Sequence, residues 1–184
     1  ENIIYRNNAK VNDDIYVSGN LGDSYLGLLV LKNKITLNSR SKRYFTNQYF
    51  MPNIQLRLVD QLKKLANTSI DISDGLLADL DKMINNQKLS YKIFLENIPI
   101  SNNLKKVIDL KKLSKINYIS NGDDYQVLFT ASKNKMRIIK KISTNYRVKL
   151  TKIGSIQSYV KKSSIVDDKN VKISLKNKGY FHKF

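Results

Sequence analysis

The sequence contains no cysteine and no tryptophan. Disulfides, thiolate metal centres and cysteine nucleophiles are thereby excluded, and the absence of cysteine fits a reducing cytoplasm. The single histidine, His182, stands near the end among Tyr180, Phe181 and Phe184. One imidazole without a partner cannot build the nucleophile–base pair of a hydrolase, and here it reads as packing or exposure. Two prolines and seven glycines in 184 residues leave no Pro- or Gly-rich linker to divide the chain. No apolar run is long enough to cross a bilayer, and no basic-then-apolar leader opens the sequence. We therefore expect one domain over residues 1–184, of a size that holds a proper core.

Acid is also scarce: 15 Asp and Glu stand against 33 Lys and Arg, a net charge of +18. Charge of that size attracts polyanions, so a basic nucleic-acid-binding module is a competing reading. The excess is nearly all lysine, however, and the arginines that base and phosphate recognition favours are only Arg6, Arg40, Arg43, Arg57, Arg137 and Arg147. Lysine spread along the chain with abundant Asn and Ile reads as solvated surface. The first residue is Glu1 rather than methionine, and residues 1–6 read as the end of a strand. We expect a piece of a longer polypeptide.

Apolar spacing predicts alternating strands and helices. Asp14 to Ser18 alternates as a strand, and the turn at 19–24 opens a helix to about Lys32. Residues 33–49 are polar and read as a loop or irregular helix. Leu58, Val59, Leu62, Leu65 and Ala66 share a helix face after Pro52, and Leu76, Leu77, Leu80, Met83 and Ile84 form a second stripe. Strands are expected near 69–72, 91–95, 126–131 and 148–153, helices at 102–110 and 133–143, and a hairpin at 163–175 around Asp167–Asn170. The expected class is α/β (α+β), a mixed β-sheet flanked by helices.

Three segments could carry chemistry. In Asp71-Ile72-Ser73-Asp74-Gly75, Asp71 and Ser73 lie two apart at a strand end and Asp74 sits where the strand gives way to a helix. Two fixed carboxylates with hard oxygen donors suit Mg²⁺; alternatively Ser73 or Asp74 merely caps the helix. In Ser120-Asn121-Gly122-Asp123-Asp124-Tyr125, adjacent acids lead into the apolar Val127-Leu128-Phe129 and either end a strand or face a ligand. Gly19-Asn20-Leu21-Gly22-Asp23-Ser24 matches neither a dinucleotide fingerprint nor a P-loop. There Asp23 or Ser24 reads as the N-cap. Tyr180 could stack on a flat heteroaromatic ligand, or simply pack.

Together these segments resemble, in order and spacing, the second half of the thiamine-monophosphate kinase family, in the aminoimidazole-ribonucleotide-synthetase superfamily. Arg6 to Gly19 is similar to the family's R-S-G-A-K-x-G-D-x-I-Y-V-T-G, and Leu21-Gly22-Asp23-Ser24 with Gly27-Leu28 to L-G-D-S-x-x-G-L. Ile70 to Leu80 resembles I-D-[IL]-S-D-G-L-x-x-D-L, Asn121 to Thr130 resembles G-G-E-D-Y-E-L-L-F-T, and Gly179 to His182 resembles the closing G-[WY]-D-H-F. The resemblance implies Mg²⁺-assisted transfer of the γ-phosphoryl of ATP onto thiamine monophosphate, giving thiamine diphosphate. It implies Mg²⁺ ligands at Asp71 and Asp74, ATP contacts from Arg6 and Ser73, and substrate contacts from Asp123 and Tyr180. It further implies an ATP-binding N-terminal domain that this chain does not contain, homodimerisation of the full-length protein, and a fragment inactive alone. Asp123 is one methylene shorter than the family glutamate, Asn121 and Gln126 replace a glycine and a glutamate, Phe181 replaces an acid, and Pro52 to Gln55 departs from P-x-P-R. Another ATP-dependent enzyme of the superfamily, or a degenerate copy without catalysis, is the remaining reading.

Overall fold

The structure, a computed structural model, describes residues 4–174. Six strands form one mixed sheet: β1 (Asp14–Ser18), β2 (Thr68–Asp71), β3 (Leu89–Phe94), β4 (Val127–Ala131), β5 (Leu150–Ser158) and β6 (Ser164–Val166), in the order β2-β4-β1-β5-β3-β6. All neighbours are antiparallel except β3 and β6. Strand alternation sends β1 residues Ile15 and Val17 to one face and Tyr16 to the other.

On the first face lies α4 (Leu76–Met83), whose Leu76, Leu77, Leu80 and Met83 are all buried against Ile70, Leu128, Ile93 and Ile153. Each such side chain contributes roughly 1.5–3 kcal/mol relative to exposure. The second face is covered by α3 (Val59–Leu65) and α7 (Met136–Tyr146), packed on Tyr16 and Phe129, whose rings stack at 5.3 Å. A third cluster sits beyond the sheet, where α1 (Asp23–Leu31), α2 (Ser39–Phe50), α5 (Asn102–Lys111) and α6 (Lys115–Ile119) bury Leu26, Val30, Phe45, Leu104, Val107 and Tyr118. Among the described residues no helix is long and apolar enough to cross a membrane.

The strands and most helices fall where the spacing put them, with three differences. Residues 39–50, expected as loop or irregular helix, form the regular helix α2. Asn38 caps it by accepting the Ser41 N–H at 2.9 Å, and the buried Phe45 anchors it. A polar helix with one fully buried residue shows little apolar stripe, so periodicity missed it. The five-residue α6 is too short to leave a periodic signature. Residues 4–6 are not in a strand, and 1–3 lie outside the described residues. The expected turn at 167–170 is present: Asp167 Oδ1 accepts the Lys169 and Val171 N–H groups, and Val166 bridges Lys172. The added feature is the parallel pairing of β6 with β3.

Candidate active site

Two loops that carry the acidic motifs leave the same end of the β2–β4 pair. Their backbones remain zipped beyond the strands: Ile72 N–H donates to Gln126 O at 2.8 Å, Tyr125 N–H to Ile72 O at 2.9 Å, and Asp123 N–H to Ser73 O at 3.0 Å. The contact is so close that only glycine fits at two points. A Cβ on Gly122 would stand 1.8 Å from Ser73 O, and one on Gly75, whose φ is +119°, would stand 2.4 Å from Ser120 O. Asp123 and Tyr125 hold φ values of 68° and 49°. Aspartate tolerates the left-handed region, whereas tyrosine pays conformational strain there, a cost common at functional loops.

The zipped loops form one wall of a cavity of about 620 Å³. Ser73 and Asp74 come from the first loop, Asn121, Gly122, Asp123 and Tyr125 from the second, and the rest of the lining is Tyr25 and Leu28 of α1, Lys32 just after it and Tyr49 of α2. Burial pushes the Asp123 carboxyl above the usual carboxylate range, the Asp74 charge raises it further, and the Lys32 ammonium pulls it back down. Asp74 also forms an ion pair with Lys82.

Neither helix start is capped as the sequence suggested. Ser73 and Asp74 do not cap α4, whose N-terminal residue Gly75 has no capping side chain of its own. The buried Asp79, inside the helix, reaches back instead: its Oδ2 accepts the N–H groups of Ser73 and Asp74, both at 2.9 Å, and of Gly75 at 3.1 Å. Likewise Asp23 and Ser24 do not cap α1. Asp124 does, its Oδ2 accepting Gly22 N–H at 2.8 Å from 102 residues away. Asp23 instead accepts hydrogen bonds from Ser101 Oγ at 2.7 Å and Tyr44 OH at 2.9 Å, and burial raises its pKa. Total burial pushes Asp124 up to about 8, against the two backbone N–H groups that favour its charged form. Gln126, in place of the family glutamate, is structural: its Oε1 accepts from Ser18 Oγ at 2.8 Å and its Nε2 donates to Asn53 O at 2.9 Å. Asp124 and Gln126 were missed because their partners lie far away in sequence, and Asp79 because it holds the amides of the preceding turn rather than standing at the helix start; the only sequence trace was their presence inside the motifs.

Of the residues singled out from the sequence, Ser73, Asp74 and Asp123 share the cavity. Asp71 is exposed at the end of β2 and does not line it, so the two carboxylates that meet there are Asp74 and Asp123. Arg6 is exposed in a segment whose next residue, Asn7, donates to Met83 O at the far end of α4. Eight helical residues, roughly 12 Å at 1.5 Å each, separate that end from the loops. Tyr180 and His182 lie outside the described residues. Among the described residues no group of three or more carboxylates or imidazoles gathers to hold a metal by itself. Asp74 beside Ser73 nevertheless fits Mg²⁺, which takes one or two carboxylates and completes its shell with water and phosphate oxygens.

The mixed sheet and its acid-lined cavity at a strand-to-helix junction define an α/β domain of the kind found in solved kinase structures. The fold matches thiamine-monophosphate kinase from Stenotrophomonas maltophilia K279a with a TM-score of 0.77 and 26% identity, over 90% of this chain and 52% of that one. It also matches AaThiL complexed with AMPPCP and TMP, with a TM-score of 0.76 and 28% identity, over 97% of this chain and 54% of that one. In sequence, the chain is 36% identical over 182 residues to the thiamine-monophosphate kinase of Buchnera aphidicola subsp. Acyrthosiphon pisum (strain APS), covering 97% of this chain and 55% of the relative. The chain is thus related to the thiamine-monophosphate kinases along nearly its whole length, and it spans about half the length of the curated relatives it matches. No protein-family model matches it.

Proposed function

We propose that this chain is the carboxy-terminal half of a cytoplasmic kinase that phosphorylates thiamine monophosphate to thiamine diphosphate with ATP. In that reaction a phosphate oxygen of thiamine monophosphate forms a bond to the γ-phosphorus of ATP, the β–γ bridging bond breaks, and ADP leaves. The observation that carries the reading is the pair Asp74 and Asp123, electrostatically coupled on one wall of a cavity, a wall built from two interlocked loops. The relative solved with AMPPCP and TMP supports it.

Asp74 would hold Mg²⁺ at the cavity, with Asp71 as a second ligand from the adjoining strand end. Bound there, Mg²⁺ supplies charge neutralisation for crowded phosphate oxygens. Ser73 contacts ATP, and Arg6 reaches the nucleotide phosphates from the amino-terminal segment. Asp123 orients the substrate from the opposite loop, and Tyr180 stacks on its ring. The exposed apolar run Phe50, Met51, Ile54 and Leu56 follows Tyr49 of the cavity wall. It docks an ATP-binding N-terminal domain, which completes the site and pairs two full-length molecules as a homodimer; the present chain alone does not turn over.

The test is turnover of ATP and thiamine monophosphate with Mg²⁺ by this chain fused to the amino-terminal half of the Buchnera relative. The fusion makes thiamine diphosphate, the chain alone does not, and Asp74→Asn in the fusion abolishes the reaction. Unchanged turnover in Asp74→Asn sinks the metal assignment; a folded but inactive fusion counts against the kinase reading.

A further inference from the structure

Three successive backbone N–H groups converging at the start of a helix make an anion-binding concavity. The turn Ser73-Asp74-Gly75 before α4 has that shape, and in this protein its anion is internal. Asp79 is fully buried, and its Oδ2 takes all three N–H groups at 2.9–3.1 Å. Its other oxygen, Oδ1, accepts Lys82 Nζ at 2.9 Å, and the same ammonium pairs with Asp74. The two oxygens of Asp79 therefore divide the work, since one fixes the backbone of the turn and the other fixes the lysine that steadies Asp74.

We infer that Asp79 is a positioning residue that fills the three-amide concavity and thereby presents Ser73 and Asp74 to the cavity as a cation-holding loop. A phosphate oxygen finds no free N–H there, because all three are already donated inward. With one Lys82 ammonium shared between the two carboxylates of Asp79 and Asp74, one net negative charge remains at the turn, which favours a divalent cation over a phosphate. The inference rests on the reading of Asp74 as a cation ligand and goes beyond it by naming the group that makes the loop selective for positive charge. Outer partners of metal ligands commonly set affinity as strongly as this.

The experiment follows ¹⁵N-labelled chain as wild type, Asp79→Asn and Asp79→Ala, with Mn²⁺ as the probe. Loss of a charged acceptor moves the amide proton signals of Ser73, Asp74 and Gly75 upfield together in Asp79→Ala. The shift is smaller in Asp79→Asn, whose carboxamide oxygen still accepts. Mn²⁺ affinity, read from paramagnetic relaxation, falls roughly tenfold to a hundredfold in Asp79→Ala and is partly restored in Asp79→Asn. A merely structural Asp79 lowers the melting temperature while leaving Mn²⁺ affinity of the folded protein unchanged, and that result overturns the inference. Should Asp79→Ala not fold, Asp79→Asn decides alone: unmoved amide signals or unchanged affinity refute the proposal. If wild type binds no Mn²⁺ while the three signals still respond, the cation reading fails and the hold of Asp79 on the turn stands.

Discussion

Replacing Gly122 by alanine tests the interlocked loops directly. The new methyl would stand 1.8 Å from Ser73 O and 2.9 Å from Asp74 Cα, against ordinary contacts near 3.4–4 Å. Both neighbours are backbone, so relief requires the loops to separate by more than an ångström. That movement breaks the Asp123 N–H to Ser73 O hydrogen bond, now 3.0 Å. Overpacking costs about 1–3 kcal/mol, and a lost hydrogen bond about 0.5–1.5 kcal/mol, so destabilisation of about 1.5–4.5 kcal/mol is expected. For a domain of this size the melting temperature then falls by about 3–18 °C. The assay is thermal unfolding followed by circular dichroism, with Asn121→Ala as control. Asn121 gives up only its own side-chain hydrogen bond to Asn117 O, and its variant melts about 1–6 °C below wild type. A Gly122→Ala protein that melts with wild type refutes the close-approach reasoning.

Three further outcomes are expected. Asp124 has a folded pKa of about 8 against an ordinary value of 3.8, raised by burial and by Asp23 and Asp123. The native state then binds the extra proton between those values. Its contribution to stability is complete below about pH 3.8 and is lost as pH rises toward 8; Asp124→Asn flattens this slope in urea midpoints measured across the range. In Asp74→Asn the Asp123 pKa, read by ¹³C NMR of its carboxyl, moves down because one of the charges that raises it is gone. Phe45→Ala empties the heart of the α1–α2–α5 cluster and lowers stability in urea by about 3–5 kcal/mol.

Much of the fold was legible because its elements carry strong local periodicity: Leu76, Leu77, Leu80 and Met83 could only be a helix face, and Ile15 and Val17 a strand face. α2 was not, since the single anchor Phe45 and the Asn38 cap are weaker signals than twelve mostly polar residues. Parallel pairing of β6 depends on its partner β3, about seventy residues earlier, and leaves no local mark. At the site, the motif residues Ser73, Asp74 and Asp123 stood out by their chemistry, and the fold gathers them at one cavity. Their supports were not legible: capping propensity pointed to the residues beside each helix start, whereas Asp79 holds the turn amides from within α4 and Asp124 holds the Gly22 N–H from a distant loop. Asp71 ends β2 and stays outside the cavity lining while Ser73 enters it, since strand alternation ceases once the chain leaves the strand at Ile72.

Among the described residues β2 stands at the margin of the sheet, with β4 as its one strand neighbour. During synthesis, the Ser73–Asp74 turn therefore waits, without its counterpart, until the Asn121–Tyr125 stretch has left the ribosome and β4 has docked onto β1. Such distant pairings form late, because the intervening chain must first be brought together. A full-length molecule in which β4 has not yet docked thus presents two separate acidic turns in place of one cavity wall.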